Sequence, residues 1–465
     1  MKIFISWISG SVLMLLVFLT CTPALSEPLQ NSEETAYQKV DPLKILMITG
    51  GGPWHNYEVQ KKQIEDGLKE RLSNFELTID HEGGQERNFA FTRHANTDWA
   101  REFDLVIYNQ CNFYDGDDAI ADRAHVERII AAHVEYQVPA VMIHCPMHVY
   151  QYVTSEWFDF TGAVSYVHED RRPFTVEVLE PTHPIMVNFP SSWRMPNGEL
   201  YMIVELKEGA HPLAYGYGVE TTTYHPVAWT YNYKGVPVFS STLGHHDETM
   251  GHDVNLNLIA SGVLWAAGKL QDDGSPAPGY EGERGLGWIS LFDGETLNGW
   301  RASETTDWSQ ARRANWPPAD NNGTESFAVQ DNNIVASGPH SNLFYDGPIA
   351  GGDFINFELK ADIYPNNNSS SGILFHTRFQ DKGTPKYGQF AQLVGIGNDL
   401  QGQQDWSTFY VKMKNGELEP LVNSSLLSDI SALEHTLNRG TIALHSSSPE
   451  SRTDFRNILI RLWPD

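Results

Sequence analysis

The sequence predicts two domains of different fold class: a doubly wound parallel α/β domain, followed by an all-β sandwich. In residues 43–270, apolar strand-like runs alternate with amphipathic helical patterns, which is typical of a parallel sheet with helices on both faces. Beyond residue 288, strand-like runs recur between turn residues and the helical periodicity largely disappears. The length of 465 residues also exceeds that of one ordinary domain.

The elements of the first domain, residues 42–270, are predicted from its apolar runs. Residues 43–49 form a continuous apolar run, as expected of a buried parallel strand. In residues 117–136 the apolar side chains recur near helical spacing, which predicts a long helix. The other predicted strands are residues 75–80, 104–109, 139–143, 175–179, 226–230 and 236–241. The other predicted helices are residues 57–72 and 255–267.

The second domain, residues 288–465, follows a linker at residues 271–287 that is rich in glycine, proline and charged residues. In residues 354–364 apolar and charged side chains alternate, which predicts a half-buried strand. The apolar set is Phe357, Leu359, Ala361 and Ile363, opposite Glu358, Lys360 and Asp362. After a hairpin-like connection at residues 365–370, the same alternation sets Ile373, Phe375, Thr377 and Phe379 opposite Leu374, His376 and Arg378. Such strands predict a sandwich.

The N-terminus has the pattern of a signal peptide over residues 1–26. Lys2 supplies a positive start, residues 3–20 are nearly all apolar, and Ala24 and Ser26 form a small-residue cleavage site. An uncleaved anchor is the alternative, because the apolar run is about as long as a short membrane span. Residues 27–41 are polar and are predicted to be a loose leader. We expect an exported protein, periplasmic or extracellular, with no membrane span after signal cleavage.

The charge balance indicates which ligands the protein does not bind. The formal net charge is -27, whereas nucleic-acid binding needs a basic surface. The acidic balance suits a protein whose ligands are neutral, such as sugars, although solubility alone accounts for it equally well. The chain has three cysteines, too few for a disulfide scaffold. Cys111 and Cys145 each follow a predicted strand, and two separate buried thiols are favoured over a disulfide between them.

Three histidines each follow an apolar strand-like run: His55 after three glycines, His144 directly, and His245 after a glycine. Because the carboxyl ends of parallel strands face one crevice, we expect the three imidazoles to form one site. Imidazole nitrogens are common ligands of divalent metals. Two alternatives stay open. His55 could be an exposed residue in a tight turn, and His245 could lie at the polar start of a helix that Asp247 caps.

Two further patterns lie near these histidines. His144 and His148 would share one face if a helix begins there, which is metal-ligand spacing. Cys145 stands where a nucleophile elbow would be, but its neighbours are bulky, so nucleophilic catalysis by Cys145 is not expected. Glu199 offers a carboxylate that could act as a base or as a ligand. In the second domain, His376, Arg378 and Gln392 could hydrogen-bond sugar hydroxyls, or could simply form an exposed polar face.

Seven ordered segments of the first half resemble one known family. They are residues 48–52 with His55, and residues 142–144, 182–185, 198–201, 225–230, 243–245 and 264–268. The family is the trehalose-utilisation (ThuA-like) family. The resemblance implies a class I amidotransferase-like, or flavodoxin-like, α/β fold that lacks the catalytic cysteine.

The second half resembles the 3-keto-disaccharide hydrolase family. The matching segments are residues 291–300 (Leu-Phe-Asp-Gly-Glu-Thr-Leu-Asn-Gly-Trp), 357–360, 371–375, 440–445 and 455–458. The resemblance implies a concanavalin A-like sandwich. Phe390 stands where the family usually has a glutamate, and His376 where it has an arginine, which favours a binding role for this domain.

Together the resemblances imply an exported carbohydrate enzyme acting on 3-keto-glycosides. The ketone at C3 acidifies the C2 hydrogen, a base removes this hydrogen, the group at C1 leaves, and water adds. A divalent metal could polarise the ketone. The candidate residues are His144, His245 and Glu199 for catalysis, Trp54, His55, His376, Arg378 and Gln392 for a small carbohydrate substrate, and His55, His144 and His245 for the metal. The alternatives are a non-catalytic carbohydrate-binding protein with a lectin-like sandwich, and a structural domain whose histidines serve packing.

Overall fold

The structure, a computed structural model, describes residues 41–112, 122–303, 326–365, 371–381, 385–393, 405–427, 430–448 and 451–464. The predicted signal peptide and all but the last residue of the predicted leader lie outside these residues. So do residues 117–121 of the predicted long helix and residues 366–370 of the hairpin-like connection. The described residues belong to one compact unit. Among the described residues, no helix has the length and apolar character needed to cross a membrane.

The first half of the described chain contains eleven strands and six helices. The strands are β1 (Leu43–Gly50), β2 (Phe75–Glu82), β3 (Leu105–Gln110), β4 (Ala140–Ile143), β5 (Ala163–His168), β6 (Arg172–Val178), β7 (Ser192–Gly198), β8 (Tyr201–Leu206), β9 (His211–Tyr217), β10 (Tyr224–Tyr233) and β11 (Val236–Ser241). The helices are α1 (Tyr57–Arg71), α2 (Arg123–Tyr136), α3 (Glu156–Thr161), α4 (Pro184–Val187), α5 (Asp247–Met250) and α6 (Asp253–Ala266).

Nine of these strands form one mixed sheet in the order β2-β1-β3-β4-β11-β10-β9-β6-β7. The pairings from β2 to β11 are parallel, and those from β11 to β7 are antiparallel. The remaining two strands, β5 and β8, form a separate antiparallel ribbon. The parallel sheet predicted from the apolar runs is therefore present. The finer prediction of a flavodoxin-like doubly wound domain is not confirmed, because helices are few and four strands add antiparallel pairings.

Alternate residues of β1 point to opposite faces of the sheet, and each face is covered by helices. Ile45 and Met47 pack in one core with residues of α1 and α6. Leu46 and Ile48 pack in a second core with residues of α2 and α3. The parallel strands are thus buried on both sides, which explains their continuous apolar runs.

The second half of the described chain is a β-sandwich of fourteen strands. They are β12 (Ile289–Ser290), β13 (Trp300–Ala302), β14 (Phe327–Gln330), β15 (Asn333–Ala336), β16 (Ser341–Tyr345), β17 (Phe357–Pro365), β18 (Gly372–Thr377), β19 (Gln389–Gln392), β20 (Ser407–Lys414), β21 (Glu417–Val422), β22 (Ser425–Leu426), β23 (Ile430–Ala432), β24 (Thr441–Ser446) and β25 (Thr453–Leu462). One sheet runs β14-β15-β25-β17-β20-β21-β22, with β12 on β25, and the other runs β13-β16-β24-β18-β19-β23.

The alternation predicted in β17 is confirmed, whereas that in β18 is not. Every predicted apolar residue of β17 is buried. In β18 the pairing with β24 shifts between Leu374 and Thr377, and His376 has a positive φ of 49°. This irregularity turns the His376 side chain into the protein interior, so His376 and the exposed Arg378 do not share a face.

A largely buried carboxylate ties the two halves together. Asp253, at the start of α6, accepts hydrogen bonds from Arg71 at 2.6 Å, from Arg284 at 2.5 Å, and from the backbone N–H of Ser290 at 2.8 Å. Burial opposes its charge, but the Arg284 and Arg71 guanidiniums hold the pKa of Asp253 below its usual range. Residues 271–287 therefore pack against the α/β half. The predicted boundaries of the two domains stay a prediction.

We expect Asp253→Asn to lower the free energy of unfolding by about 3–5 kcal/mol, because it leaves the fully buried Arg71 with only the half-exposed Glu70 as a charged partner. Denaturant unfolding followed by circular dichroism measures this change. Glu65→Gln is the control, since Glu65 pairs with the exposed Lys69 on the helix surface and is expected to cost less than about 1 kcal/mol. Equal effects of the two substitutions would contradict a central role for Asp253.

Candidate functional site

The three histidines that follow strands lie together at the carboxyl edge of the parallel sheet. His55 follows β1, His144 follows β4 and His245 follows β11. Their ring centroids are 4.6 Å apart for His55 and His245, 5.0 Å for His55 and His144, and 5.3 Å for His144 and His245. One ligand atom of each ring lies within 4.8 Å of the other two. The structure brings the three imidazoles together, while their functional roles stay predictions.

Backbone carbonyls fix two of these rings in the orientation that a metal ligand needs. His144 Nδ1 lies 2.7 Å from the carbonyl oxygen of Thr242, and His55 Nδ1 lies 3.2 Å from that of His245. A ring nitrogen that faces a carbonyl carries the proton, so Nε2 of each neutral ring has its lone pair available. Metal-binding histidines in proteins usually have their second nitrogen held in this way.

His144 adopts a strained backbone conformation, with φ 63° and ψ −104°. For a residue with a β-carbon such a conformation is costly, and it is found most often where function requires it. The sequence suggested an elbow at Cys145, but the strained residue is His144. The expected helical face with His148 is also wrong, because only a single 3-10 turn, Cys145–Met147, follows. His148 instead stacks on Tyr201 and lies 2.9 Å from the Ser165 hydroxyl.

Glu199 joins the cluster from the turn between β7 and β8. Its Oε2 lies 3.2 Å from His245 Nδ1 and 3.5 Å from His144 Nε2. Its Oε1 lies 3.0 Å from Arg171 Nε and 3.4 Å from His168 Nε2. Burial opposes the charge of this carboxyl, but the adjacent His144 and His245 rings hold its pKa well below the usual range. Glu199 is therefore an ionised carboxylate with both oxygens engaged.

Burial keeps the neighbouring imidazoles uncharged. It lowers the pKa of His55 well below its usual value, and a positive charge on the adjacent His144 or His245 would lower it further. Burial also lowers the pKa of His245, although the hydrogen bond with Glu199 acts in the opposite direction. Both rings are neutral at neutral pH, which is the form that binds metal ions.

Three residues of the site were missed by the sequence reasoning. Tyr201 places its hydroxyl 3.3 Å from His144 Nε2, and His168 and Arg171 contact Glu199. The available signals were the position of Tyr201 two residues after Glu199 and the charged run that follows β5. Neither signal indicates that these residues lie near His144 at the end of β4. Their position depends on where the β5–β8 ribbon packs, which no local pattern shows.

A cavity of about 360 Å³ opens onto this cluster. Trp54 and His55, predicted as substrate-binding residues, both line it, together with His245 and Glu199. Cys111 and Cys145 also line it and form a disulfide, with their Cα atoms 5.3 Å apart. The expectation of two separate thiols is therefore wrong. It failed because adjacent parallel strands β3 and β4 end side by side, which brings the two cysteines into contact.

The sandwich residues predicted to bind sugar do not form a common site. His376 is 2% exposed, and its two ring nitrogens lie 3.0 Å and 3.2 Å from the backbone carbonyls of Ile355 and Leu437. No ring nitrogen of His376 is left for a ligand. Arg378 is exposed and lines another cavity of about 390 Å³, and the exposed Gln392 is not part of that lining.

Family models identify both halves of the chain. Residues 44–266 match the ThuA family, described as trehalose utilisation. Residues 287–461 match the family described as a 3-keto-alpha-glucoside-1,2-lyase-like domain. These matches confirm both resemblances, with a ThuA segment followed by a 3-keto-disaccharide hydrolase-type domain. No curated protein matches the chain.

Solved structures are similar to each half at low sequence identity. A putative ThuA-like protein from Parabacteroides merdae is 17% identical, with 52% of this chain and 98% of that one covered and a TM-score of 0.40. A putative glycosyl hydrolase from Parabacteroides distasonis is 16% identical, with 38% and 94% covered and a TM-score of 0.29. The carbohydrate-binding module CBM66 from Bacillus subtilis is 11% identical, with 35% and 96% covered and a TM-score of 0.24.

We expect Cys111→Ser to lower the free energy of unfolding by about 3 kcal/mol, because the disulfide links residues 34 positions apart. Before reduction, neither Cys111 nor Cys145 of the unfolded wild-type protein should react with iodoacetamide, as read by mass spectrometry. The single substitution already breaks the bridge. The double variant Cys111→Ser/Cys145→Ser should therefore be only slightly less stable than Cys111→Ser alone. Alkylation of both residues without reduction would show that they are free thiols.

Proposed function

We propose that this protein is an exported enzyme that cleaves 3-keto-glycosides at the histidine cluster, by removal of the C2 proton, elimination of the group at C1 and hydration. The observation that carries the proposal is the convergence of three imidazoles and one ionised carboxylate at the end of a single cavity. The family match of the second half supplies the substrate class. Export is proposed from the signal-peptide pattern of residues 1–26.

The donor set of the cluster fits a divalent transition metal. One ring nitrogen of each of His55, His144 and His245 lies within 4.8 Å of the other two. Imidazole nitrogens are common ligands of divalent transition metals, which they bind at about 2.0–2.1 Å. His55, His144 and His245 would hold the ion, with the charge of Glu199 beside them. A bound divalent ion would polarise the substrate ketone and stabilise negative charge on its oxygen.

Glu199 is poorly suited to accept the C2 proton, because its pKa is held low and both of its oxygens are engaged. We assign it to orienting His245 and balancing charge. His168 is better placed for this step. Its Nδ1 lies 2.8 Å from the carbonyl oxygen of Glu169, so the neutral ring has its lone pair at Nε2. The His168 side chain is 37% exposed and lines the cavity.

The proposed reaction balances without any further reactant except water. The C2–H bond breaks, Nε2 of His168 takes the proton, and the electron pair moves onto the C3 oxygen as an enolate. This nitrogen lies 3.4 Å from Oε1 of Glu199. The negative charge of the carboxylate stabilises the imidazolium that forms when the proton is taken. The enolate then expels the oxygen at C1, which leaves as an alcohol after protonation. Water adds its oxygen to C1 and a proton to C2, so the net result is hydrolysis.

The alternative function is a non-catalytic carbohydrate-binding protein. A lectin-like use of His376 is not supported by the structure, because this side chain is buried and bonded to backbone. Absence of turnover together with retained sugar binding would favour this alternative over the enzyme.

We expect purified protein to bind Co²⁺ or Zn²⁺, and His144→Gly to weaken this binding by at least about 100-fold, since an imidazole ligand is removed. Glycine is chosen because it tolerates the positive φ of His144 and so preserves the fold. Cobalt absorbance titration and isothermal calorimetry measure the affinity. The control is His211→Ala, an exposed histidine on β9 outside the cluster. Unchanged affinity in His144→Gly would exclude the cluster as the metal site.

We expect His168→Gln to lower kcat on a 3-keto-glycoside by about 10²–10⁴-fold with a smaller effect on KM, because proton transfer at C2 is lost. The measurement is steady-state release of the alcohol, together with exchange of the C2 hydrogen in heavy water followed by NMR. His211→Gln serves as the matched control. If His168→Gln exchanged the C2 hydrogen at the wild-type rate, His168 would not be the proton acceptor.

A further inference from the structure

Exposed apolar side chains concentrate around the cavity that leads to the histidine cluster. Among the described residues, eleven large apolar side chains are exposed, and four of them line this cavity: Trp54, Tyr152, Tyr166 and Val167. Single exposed apolar residues are ordinary on protein surfaces. Several of them around one cavity mark a surface that a ligand covers.

Two members of this group are tyrosines, with Tyr152 66% exposed and Tyr166 46% exposed. Tyr166 lies on β5, and its ring packs against the edge of Phe158 at 5.2 Å and 79°. Tyr152 lies in a turn that is closed by a hydrogen bond from the N–H of Val153 to the carbonyl of Tyr150 at 2.8 Å. Both side chains are therefore carried by ordered backbone, which lowers the entropic cost of binding a ligand.

The cavity has a buried polar end and an exposed mouth at which aromatic side chains lie beside Arg87 and Arg171. The deep end holds His245 and Glu199, which are buried, whereas Tyr152 and Tyr166 are largely open to solvent. A ligand whose reacting carbonyl lies at the histidines would therefore extend past the tyrosines on its way out. A tyrosine ring offers a flat apolar face with a polar tip, which suits a ring that carries hydroxyl groups or is itself aromatic. The volume of about 360 Å³ lies at the small end of the range for ligand pockets, about 300–1,000 Å³.

We propose that Tyr152 and Tyr166 form a subsite for a second ring attached to the reacting sugar. The substrates are then glycosides whose leaving group is a ring, either another sugar or an aryl alcohol, in preference to free monosaccharides and methyl glycosides. The inference rests on the proposed function for the position of the reacting sugar. The subsite itself requires only binding, so it can be tested without turnover.

The test compares the binding of phenyl glucoside and methyl glucoside, neither of them oxidised, to the full chain by isothermal calorimetry. We expect phenyl glucoside to bind at least about 10-fold more tightly than methyl glucoside. Tyr152→Ala and Tyr166→Ala should each reduce this preference by about 5-fold, while Tyr152→Phe should retain it because the ring is kept. Tyr217→Ala is the control, since Tyr217 is 42% exposed on β9 but does not line the cavity.

Several results would overturn the subsite. They are equal affinities for the two glucosides, no measurable binding of either at millimolar concentration, and equal losses for both ligands in the tyrosine variants. Turnover of the corresponding 3-keto-glycosides is measured separately. A phenyl preference without turnover would refute the proposed enzyme but support the subsite. Turnover without a phenyl preference would refute the subsite and leave the enzyme standing.

Discussion

The hydrogen bond from His144 Nδ1 to the carbonyl of Thr242 is the contact on which the site depends. It joins the ends of β4 and β11, two neighbouring parallel strands, and fixes which nitrogen of His144 has a free lone pair. The same turn gives His144 its strained backbone conformation, which the pairing on both sides of β4 holds in place. Without this contact the imidazole could rotate away from His55 and His245, and the cluster would not form.

Electrostatic balance is the second constraint. A chain with a net charge of -27 places an ionised carboxylate, Glu199, beside the neutral His245 ring in a buried setting. Arg171 and His168 on one oxygen and two imidazoles on the other distribute this charge. The arrangement is suited to receive a cation, because it already holds negative charge next to nitrogen lone pairs that are not protonated.

The two halves of the chain contribute differently to the proposed chemistry. The α/β half supplies the histidines, the carboxylate and the aromatic lining of the cavity. The sandwich joins it where the Ser290 N–H and the linker residue Arg284 bond Asp253, and the sandwich residues predicted to bind sugar are dispersed or buried. The structure therefore directs experiments to the α/β half, although the proposed substrate class comes from the family match of the sandwich.

Much of the parallel sheet could be predicted from the sequence, because strands buried on both faces have continuous apolar runs. The strands β5, β7, β8 and β9 were missed, because antiparallel strands with one open face contain polar residues and lack such runs. The three histidines could be predicted as one site, since position after a parallel strand determines the edge at which a side chain lies. Only the tertiary structure decided the roles of His168, Arg171 and Tyr201, the Cys111–Cys145 bridge and the burial of His376. The roles depend on where the β5–β8 ribbon packs, the bridge on β3 and β4 being neighbours, and the burial of His376 on the irregular pairing of β18 with β24. These features bring together residues that are far apart in the chain, so they leave no local pattern in the sequence.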